Sequence, residues 1–247
     1  MNENFITPKW PAPLHIKAIQ TTRNGGISLD NFSSLNLSSN VGDIDKNVKA
    51  NHKTLLNSLP SNPFWLNQIH SDKSEELPSK NKLNCDASYT YNKKTVCAIR
   101  TADCLPIFIT NFEGSFVALI HAGWKGLLNG VIEKTIDKIN SSSKIIVWLG
   151  PCIAQESFEV GSDIYDLFLG TDSNTKKAFK LLEKRYYLDL ANLARLKFNA
   201  LNIINISGAG ITEDFCTFKD KKNFFSYRRD GKTGRMASLI WIDSRSE

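Results

Sequence analysis

Residues 101–126 read TADCLPIFITNFEGSFVALIHAGWKG. Two apolar runs, 105–110 and 116–120, flank a short polar turn at 111–114. Runs of this length and composition read as buried strands, and so short a connection joins them as an antiparallel hairpin. Cys104 stands just before the first run and His121 just after the second. Antiparallel pairing therefore brings a thiol and an imidazole to one end of the hairpin. Such a pair serves either a metal site or a nucleophile and its base.

Outward from the hairpin, strands are expected at 15–22, 64–69, 96–101, 144–149, 203–207 and 236–242. Helical spacing of apolar residues predicts helices at 45–59, 123–139, 162–169, 176–183 and 188–201. Asp45 is a candidate N-cap for the first of these, and Pro60 follows its end. Residues 31–40 are polar with two leucines, an irregular loop pinned to the core, and 71–82 is a charged, solvent-facing segment. Strands and helices mix without strict alternation, which predicts an α+β fold with mixed or largely antiparallel sheets. No linker-like stretch divides the chain, so residues 1–247 read as one domain and a monomer is expected.

The composition is that of an ordinary globular protein, 41% hydrophobic and 23% charged, with a net charge of +6. A basic excess suits an anionic small substrate. The basic residues are scattered and no nucleic-acid-binding motif occurs, so no nucleic-acid partner is expected. The N-terminal residues lack a leader pattern and no apolar run has membrane-spanning length, so a cytoplasmic protein without a membrane partner is expected. Five cysteines, at 85, 97, 104, 152 and 216, form neither a disulfide framework nor a CxxC motif.

Of four histidines, His70 and His121 both follow strand-like runs, whereas His52 falls on a helix as a surface or half-buried residue. With Cys104 they make a candidate set of three donors, the number a catalytic zinc site uses while keeping one position open. Zinc in such a site lowers the pKa of bound water to about 7. Two unrelated histidines and a core cysteine are the plainer alternative. A metal-free alternative makes Cys104 the nucleophile and His121 its base. Asp103 adjoins Cys104 but points away from it in a strand, leaving it to orient a histidine or meet substrate. The glycine-rich turn 122–126 leads into a helix N-terminus with Lys125, a setting that favours anions. Arg23, Arg100, Arg228 and Arg229 are further candidates for holding a phosphate or carboxylate. Phe224, Phe225 and Tyr227 stack on a base or fill the core.

A set of longer motifs carries a resemblance: TTRNGGIS (21–28), SLNLS (34–38), VGD (41–43), WLNQIHS (65–71), TADCLPI (101–107), HAGWKG (121–126), WLGPCI (148–153), FEVG (158–161) and FFSYRRDGKTGRMASLIWI (224–242). Together, across about residues 21–242, these resemble the YfiH/laccase-domain family, whose members have been called multicopper polyphenol oxidases and purine nucleoside phosphorylases. The resemblance implies a four-layer α/β/β/α sandwich related in fold to toxin-type cysteine hydrolases. It implies metal ligands at His70, Cys104 and His121, with zinc the expected ion and copper the alternative. It also implies phosphorolysis of adenosine, inosine and methylthioadenosine to base and (methylthio)ribose 1-phosphate, and hydrolytic deamination of adenosine. Purine nucleoside and phosphate are then the partners, with Arg23, Gln68, Lys125 and Arg228 as expected substrate contacts. Other members are described as copper-dependent polyphenol oxidases or as peptidoglycan-precursor editing hydrolases, and a non-enzymatic metal-binding module is a further alternative. Asn40 departs from the histidine that many members carry before VGD. Four histidines are too few for the copper clusters of a true laccase, and no HxE motif of a zinc deaminase occurs.

Overall fold

The hairpin lies at the centre of the larger of two facing sheets. In the computed structural model, which describes residues 5–139, 141 and 143–244, strand Leu105–Asn111 pairs antiparallel with Val117–Ala122. The register sets Leu105 opposite Ala122 and Pro106 opposite His121. Both strands are buried along their whole length, which is why they read as continuous apolar runs. The sheet runs in the order Asn205–Gly208, Ile145–Leu149, Leu105–Asn111, Val117–Ala122, Ala87–Thr90, Ser74–Glu76. Its outermost pairings are parallel and its inner ones antiparallel. A second mixed sheet runs Phe5–Ile6, Ile16–Thr21, Met236–Ile242, Cys97–Thr101, Phe64–Trp65.

Alternation of side chains along each strand decides how these sheets stack. Phe108, Val117, Leu119 and Trp148 of the larger sheet share a buried cluster with Ile16, Cys97, Ile99 and Ile240 of the second. On the far face of the larger sheet, Ile107, Ile109, Ile120 and Val147 pack with helices Val131–Ile139 and Leu190–Ala200. On the far face of the second, Ala98, Leu239 and Trp241 pack with Leu55 of helix Asp45–Leu56 and with Leu35 and Leu37 of the loop before it. The layers are helix, sheet, sheet, helix, the expected α/β/β/α order.

Several expected elements are corrected. The helix expected at 123–139 is two, Trp124–Leu128 and Val131–Ile139, divided at Gly130 with φ +87°. The apolar spacing ran through the break because Leu127, Val131 and Ile132 all face the same core. Residues 176–183 are no helix: a 3-10 turn, Ser173–Ala178, is followed by strand Phe179–Leu182. That strand pairs with Arg185–Leu188 through Glu183 and Lys184, both at positive φ as in a two-residue hairpin turn. Together with Glu159–Val160 they form a small third sheet. The helix expected from 188 begins at Leu190, capped by Asp189, whose side chain accepts the Asn192 N–H. Asp45 is inside its helix; Ile44 holds the cap position without a side-chain bond. The 71–82 segment contains an edge strand, Ser74–Glu76, and buries Ser74 and Leu77. Residues 1–4, part of the stretch read for a leader, lie outside the described residues. Among the described residues no helix is long and apolar enough to cross a membrane.

Candidate metal centre at the junction of two cavities

Parity places His121. It shares a face with Val117 and Leu119, so its side chain points between the sheets at the end of its strand. Across the strand pair lies Asp86, whose carbonyl accepts the His121 N–H at 2.7 Å and whose carboxylate accepts Nδ1–H at 2.8 Å. That bond leaves Nε2 as the donor atom of His121. The fully buried Asp86 carboxylate also accepts the N–H groups of Ile69, His70 and Ser71 at 3.2, 3.0 and 2.6 Å, and the Ser71 hydroxyl at 2.7 Å. Successive backbone donors, with His70 at φ +59°, wrap one anion as a nest. This is why the strand expected over 64–69 ends at Trp65. The chain leaves the sheet to serve Asp86, and the detour delivers His70.

The His70 and His121 rings lie 4.9 Å apart at 71°, and His70 Nε2 is 4.0 Å from Cys104 Sγ. Donor atoms of His70, Cys104 and His121 all fall within 4.8 Å of one another. Cys104 is presented by Asp103, a non-glycine residue at φ +91°. Its strained backbone is held at several points: the Asp103 carbonyl accepts the Ile153 N–H at 3.0 Å, and the carboxylate accepts Thr217 Oγ1–H at 2.6 Å and the Arg228 N–H at 2.7 Å. Asp103 therefore anchors the turn, and the residue that orients a histidine is Asp86.

The donor set fits a metal. A Cβ at Gly123 would stand 3.0 Å from the His70 ring and 3.1 Å from Sγ, so glycine is what leaves the trio its space. Two imidazoles and a thiolate with one open side match a catalytic zinc site. Among the described residues no fourth His, Cys, Asp or Glu joins them. His15 and His52 are engaged elsewhere, on the carbonyls of Gly114 and Leu37, so a multi-copper cluster has no imidazoles to hold it.

Charge is organised along the same line. Burial works to raise the Asp86 pKa, but hydrogen bonds from His121 and Ser71 outweigh it and bring it to about 2. Burial opposes charge on His121, yet the Cys104 thiolate and Asp86 raise it to about 9. Burial likewise works to raise Cys104, while His121 and His70 bring it down to about 6. Without metal, the resting pair at neutral pH is thiolate and imidazolium.

The site opens onto two cavities, of about 560 and 330 Å³, with His70, Ala102, Cys104 and Tyr227 lining both and His121 lining the larger. Lys125 and Arg228 line the smaller, beside Trp124 and Phe158. Helix Trp124–Leu128 is too short to lend the glycine turn much of a dipole. Gln68 lines the larger cavity, but its amide is committed to the Arg100 backbone, donating to the carbonyl and accepting the N–H, each at 2.7 Å. Arg23 lines neither cavity. It donates to the carbonyls of Ser33 and Lys221 and lies over Phe225, fastening loops together. Arg229 is spent on the carbonyls of Thr217, Phe218 and Phe224. Phe224 and Phe225 are core residues, whereas Tyr227 is 61% exposed at the mouth of both cavities. Sequence reasoning missed Asp86 and Arg235, and it read Gly123 only as part of an anion-favouring turn, not as the residue that leaves the trio its space. The available signals were a carboxylate heading the strand-like stretch ASYT (87–90) and an arginine directly before the last strand.

The model of the family described as multi-copper polyphenol oxidoreductase laccase matches residues 17–243. The chain belongs to this family. Similar proteins include one named purine nucleoside phosphorylase YfiH from Escherichia coli, 41% identical over 96% of this chain and 98% of its own length. Another, from Pseudomonas aeruginosa, also named a purine nucleoside phosphorylase, is 39% identical over 96% and 98%. Among solved structures, the Neisseria meningitidis protein NMB0706 superposes with a TM-score of 0.89 at 38% identity, covering 98% of this chain and 100% of its own.

Proposed function

We propose that this protein is a zinc-dependent, cytoplasmic purine nucleoside phosphorylase acting on adenosine, inosine and methylthioadenosine. The observation that carries the reading is a three-donor metal site placed where two cavities meet, an arrangement suited to joining two co-substrates, and relatives over the full chain bear that name. His70, Cys104 and His121 hold the ion, which supplies a Lewis acid for substrate oxygens when bound. Asp86 fixes the His121 tautomer and the His70 loop, and Gly123 keeps the donor cluster open. The nucleoside occupies the smaller cavity, with its flat base among Trp124, Phe158 and Tyr227 and with Lys125 and Arg228 at the rim. In the reaction a phosphate oxygen bonds to the ribose C1′ while the C1′–N9 bond breaks, and the base departs with the electron pair. The chain's part is to hold the two partners in line and exclude water. Deamination of adenosine is the weaker proposal, because the carboxylates at the site, Asp86 and Asp103, are engaged and among the described residues no other lines either cavity to shuttle protons.

A second reading has its own observation: Cys104, His121 and Asp86 follow the order of a nucleophile, base and orienting acid. It predicts a hydrolase with Cys104 as its nucleophile, the chemistry that the cell-wall editing alternative would use. The deciding experiment is chromatography of each nucleoside incubated with the purified protein, with and without phosphate. Free base and sugar phosphate appearing only with phosphate supports phosphorolysis. Inosine formed from adenosine without phosphate supports deamination, and no turnover of any nucleoside overturns the reading.

A further inference from the structure

Two guanidinium groups face the larger cavity without a carboxylate partner. Arg100 lies in strand Cys97–Thr101 and Arg235 directly precedes strand Met236–Ile242. These strands pair antiparallel, with Thr101 opposite Met236, so both arginines stand at the end of the sheet that leads to Cys104. Each is held by its own stem. Arg100 Nε donates to the Leu37 carbonyl at 2.6 Å and its guanidinium lies 3.9 Å over the Trp65 ring. Arg235 Nη1 donates to the carbonyls of Thr233 and Gly234 at 2.8 and 3.0 Å. Among the described residues, both Nη groups of Arg100, and Nε and Nη2 of Arg235, make no hydrogen bond and no ion pair.

Among the described residues no Asp or Glu lines this cavity. A sheltered cation without a counter-charge is costly, and burial alone draws Arg100 down to about 10; burial lowers Arg235 too, with the negative charges of Cys104 and Asp103 working against it without an ion pair. Thr101 adds a third group: it is 1% exposed, lines the same cavity, and its hydroxyl has no hydrogen-bond partner among the described residues. Fixed guanidinium forks match the edges of a tetrahedral oxyanion by paired hydrogen bonds. The smaller cavity offers less: Lys125 is a single point charge beside Trp124, and Arg228 spends Nη1 on the Glu159 carbonyl.

We propose that Arg100 and Arg235 form the phosphate subsite, seating inorganic phosphate in the larger cavity next to the metal trio. This assignment rests on the phosphorolysis reading above. It places the attacking oxyanion in the cavity that adjoins the aromatic one at His70 and Cys104. It also gives Gln68 its task, which is to hold the Arg100 backbone in place.

The test is titration calorimetry of the zinc-loaded protein with inorganic phosphate, together with the phosphate KM of nucleoside phosphorolysis. Arg100→Gln, Arg235→Gln and Arg235→Lys are compared with wild type and with Lys125→Met. Each Arg→Gln change is expected to weaken phosphate binding and raise the phosphate KM on the order of ten- to a hundredfold. Arg235→Lys falls between, because charge survives and the fork is lost. It also keeps the test alive if Arg100→Gln fails to fold once its Trp65 stack is gone. Lys125→Met leaves phosphate binding within about twofold of wild type. Unchanged phosphate affinity in both glutamine variants, or its loss in Lys125→Met instead, overturns the subsite while phosphorolysis stands. A wild-type protein that neither binds phosphate nor cleaves nucleosides overturns the phosphorylase reading and the subsite with it.

Discussion

Asp86→Asn is the perturbation from which most follows. The native carboxylate accepts from three backbone N–H groups, the Ser71 hydroxyl and His121 Nδ1–H. An asparagine amide keeps one acceptor oxygen and turns its other end into a donor that faces donors. At least one of these contacts becomes a clash between N–H groups, in a place with no exposed surface. The charge contribution follows from the shift of Asp86 from 3.8 to about 2, which corresponds to roughly 2 kcal/mol of native-state stabilisation at neutral pH. Because the folded pKa is depressed, this stabilisation is present above pH 4 and is lost as the pH falls toward 2. Urea unfolding of chelated protein is therefore expected to show Asp86→Asn less stable by ~2–4 kcal/mol at pH 7. Near pH 2 the gap narrows, since the wild-type carboxyl is then protonated too. With zinc present, competition against a chromophoric chelator is expected to show affinity down by ~10–100-fold. A variant within about 0.5 kcal/mol of wild type at pH 7, with zinc affinity unchanged, would falsify the role given to Asp86.

Other consequences are quickly checked. Gly123→Ala places a methyl 3.0–3.1 Å from His70 and Sγ; the fold is expected to survive by circular dichroism while bound zinc drops below half an equivalent, about tenfold or more in affinity. In chelated protein, iodoacetamide alkylation of Cys104 is expected to rise with pH through about 6 and level off by neutrality, whereas Cys85 and Cys97, raised to about 12 by burial, stay unreactive. A Cys104 rate that keeps climbing to pH 9 counts against the thiolate–imidazolium pair. Gly208→Ala would drive a Cβ to 2.1 Å from the Leu149 carbonyl oxygen at φ +94°; thermal unfolding is expected to report a loss above about 3 kcal/mol, and a change under 1 contradicts that packing.

The hairpin was legible because both of its strands are buried throughout and its turn is polar, so local composition and tertiary burial agree. His70, Cys104 and His121 were legible because each stands at the end of an apolar run, His70 and His121 just after one and Cys104 just before one. Asp86 was hidden for the opposite reason: its partners are backbone groups of the 69–71 loop, and backbone donors leave no mark in a sequence. The hairpin over 179–188 was missed because Glu183 and Lys184 adopt positive φ without the glycine or asparagine that announces such a turn. Arg23 looked free beside its glycines, yet loop carbonyls distant in sequence occupy it. Arg100 and Arg229 were indistinguishable as letters. What separates them is that the bonds of Arg229 are filled by protein while Arg100 keeps both Nη groups open to a cavity.

The most direct test of the metal centre is X-ray absorption at the zinc edge of protein purified without chelator or affinity metal. One sulfur scatterer at about 2.3 Å with two imidazole nitrogens at about 2.0–2.1 Å is the predicted shell, and the sulfur vanishes in Cys104→Ala. A shell without sulfur, a shell of several sulfurs, or no zinc at all would contradict a site built from His70, Cys104 and His121.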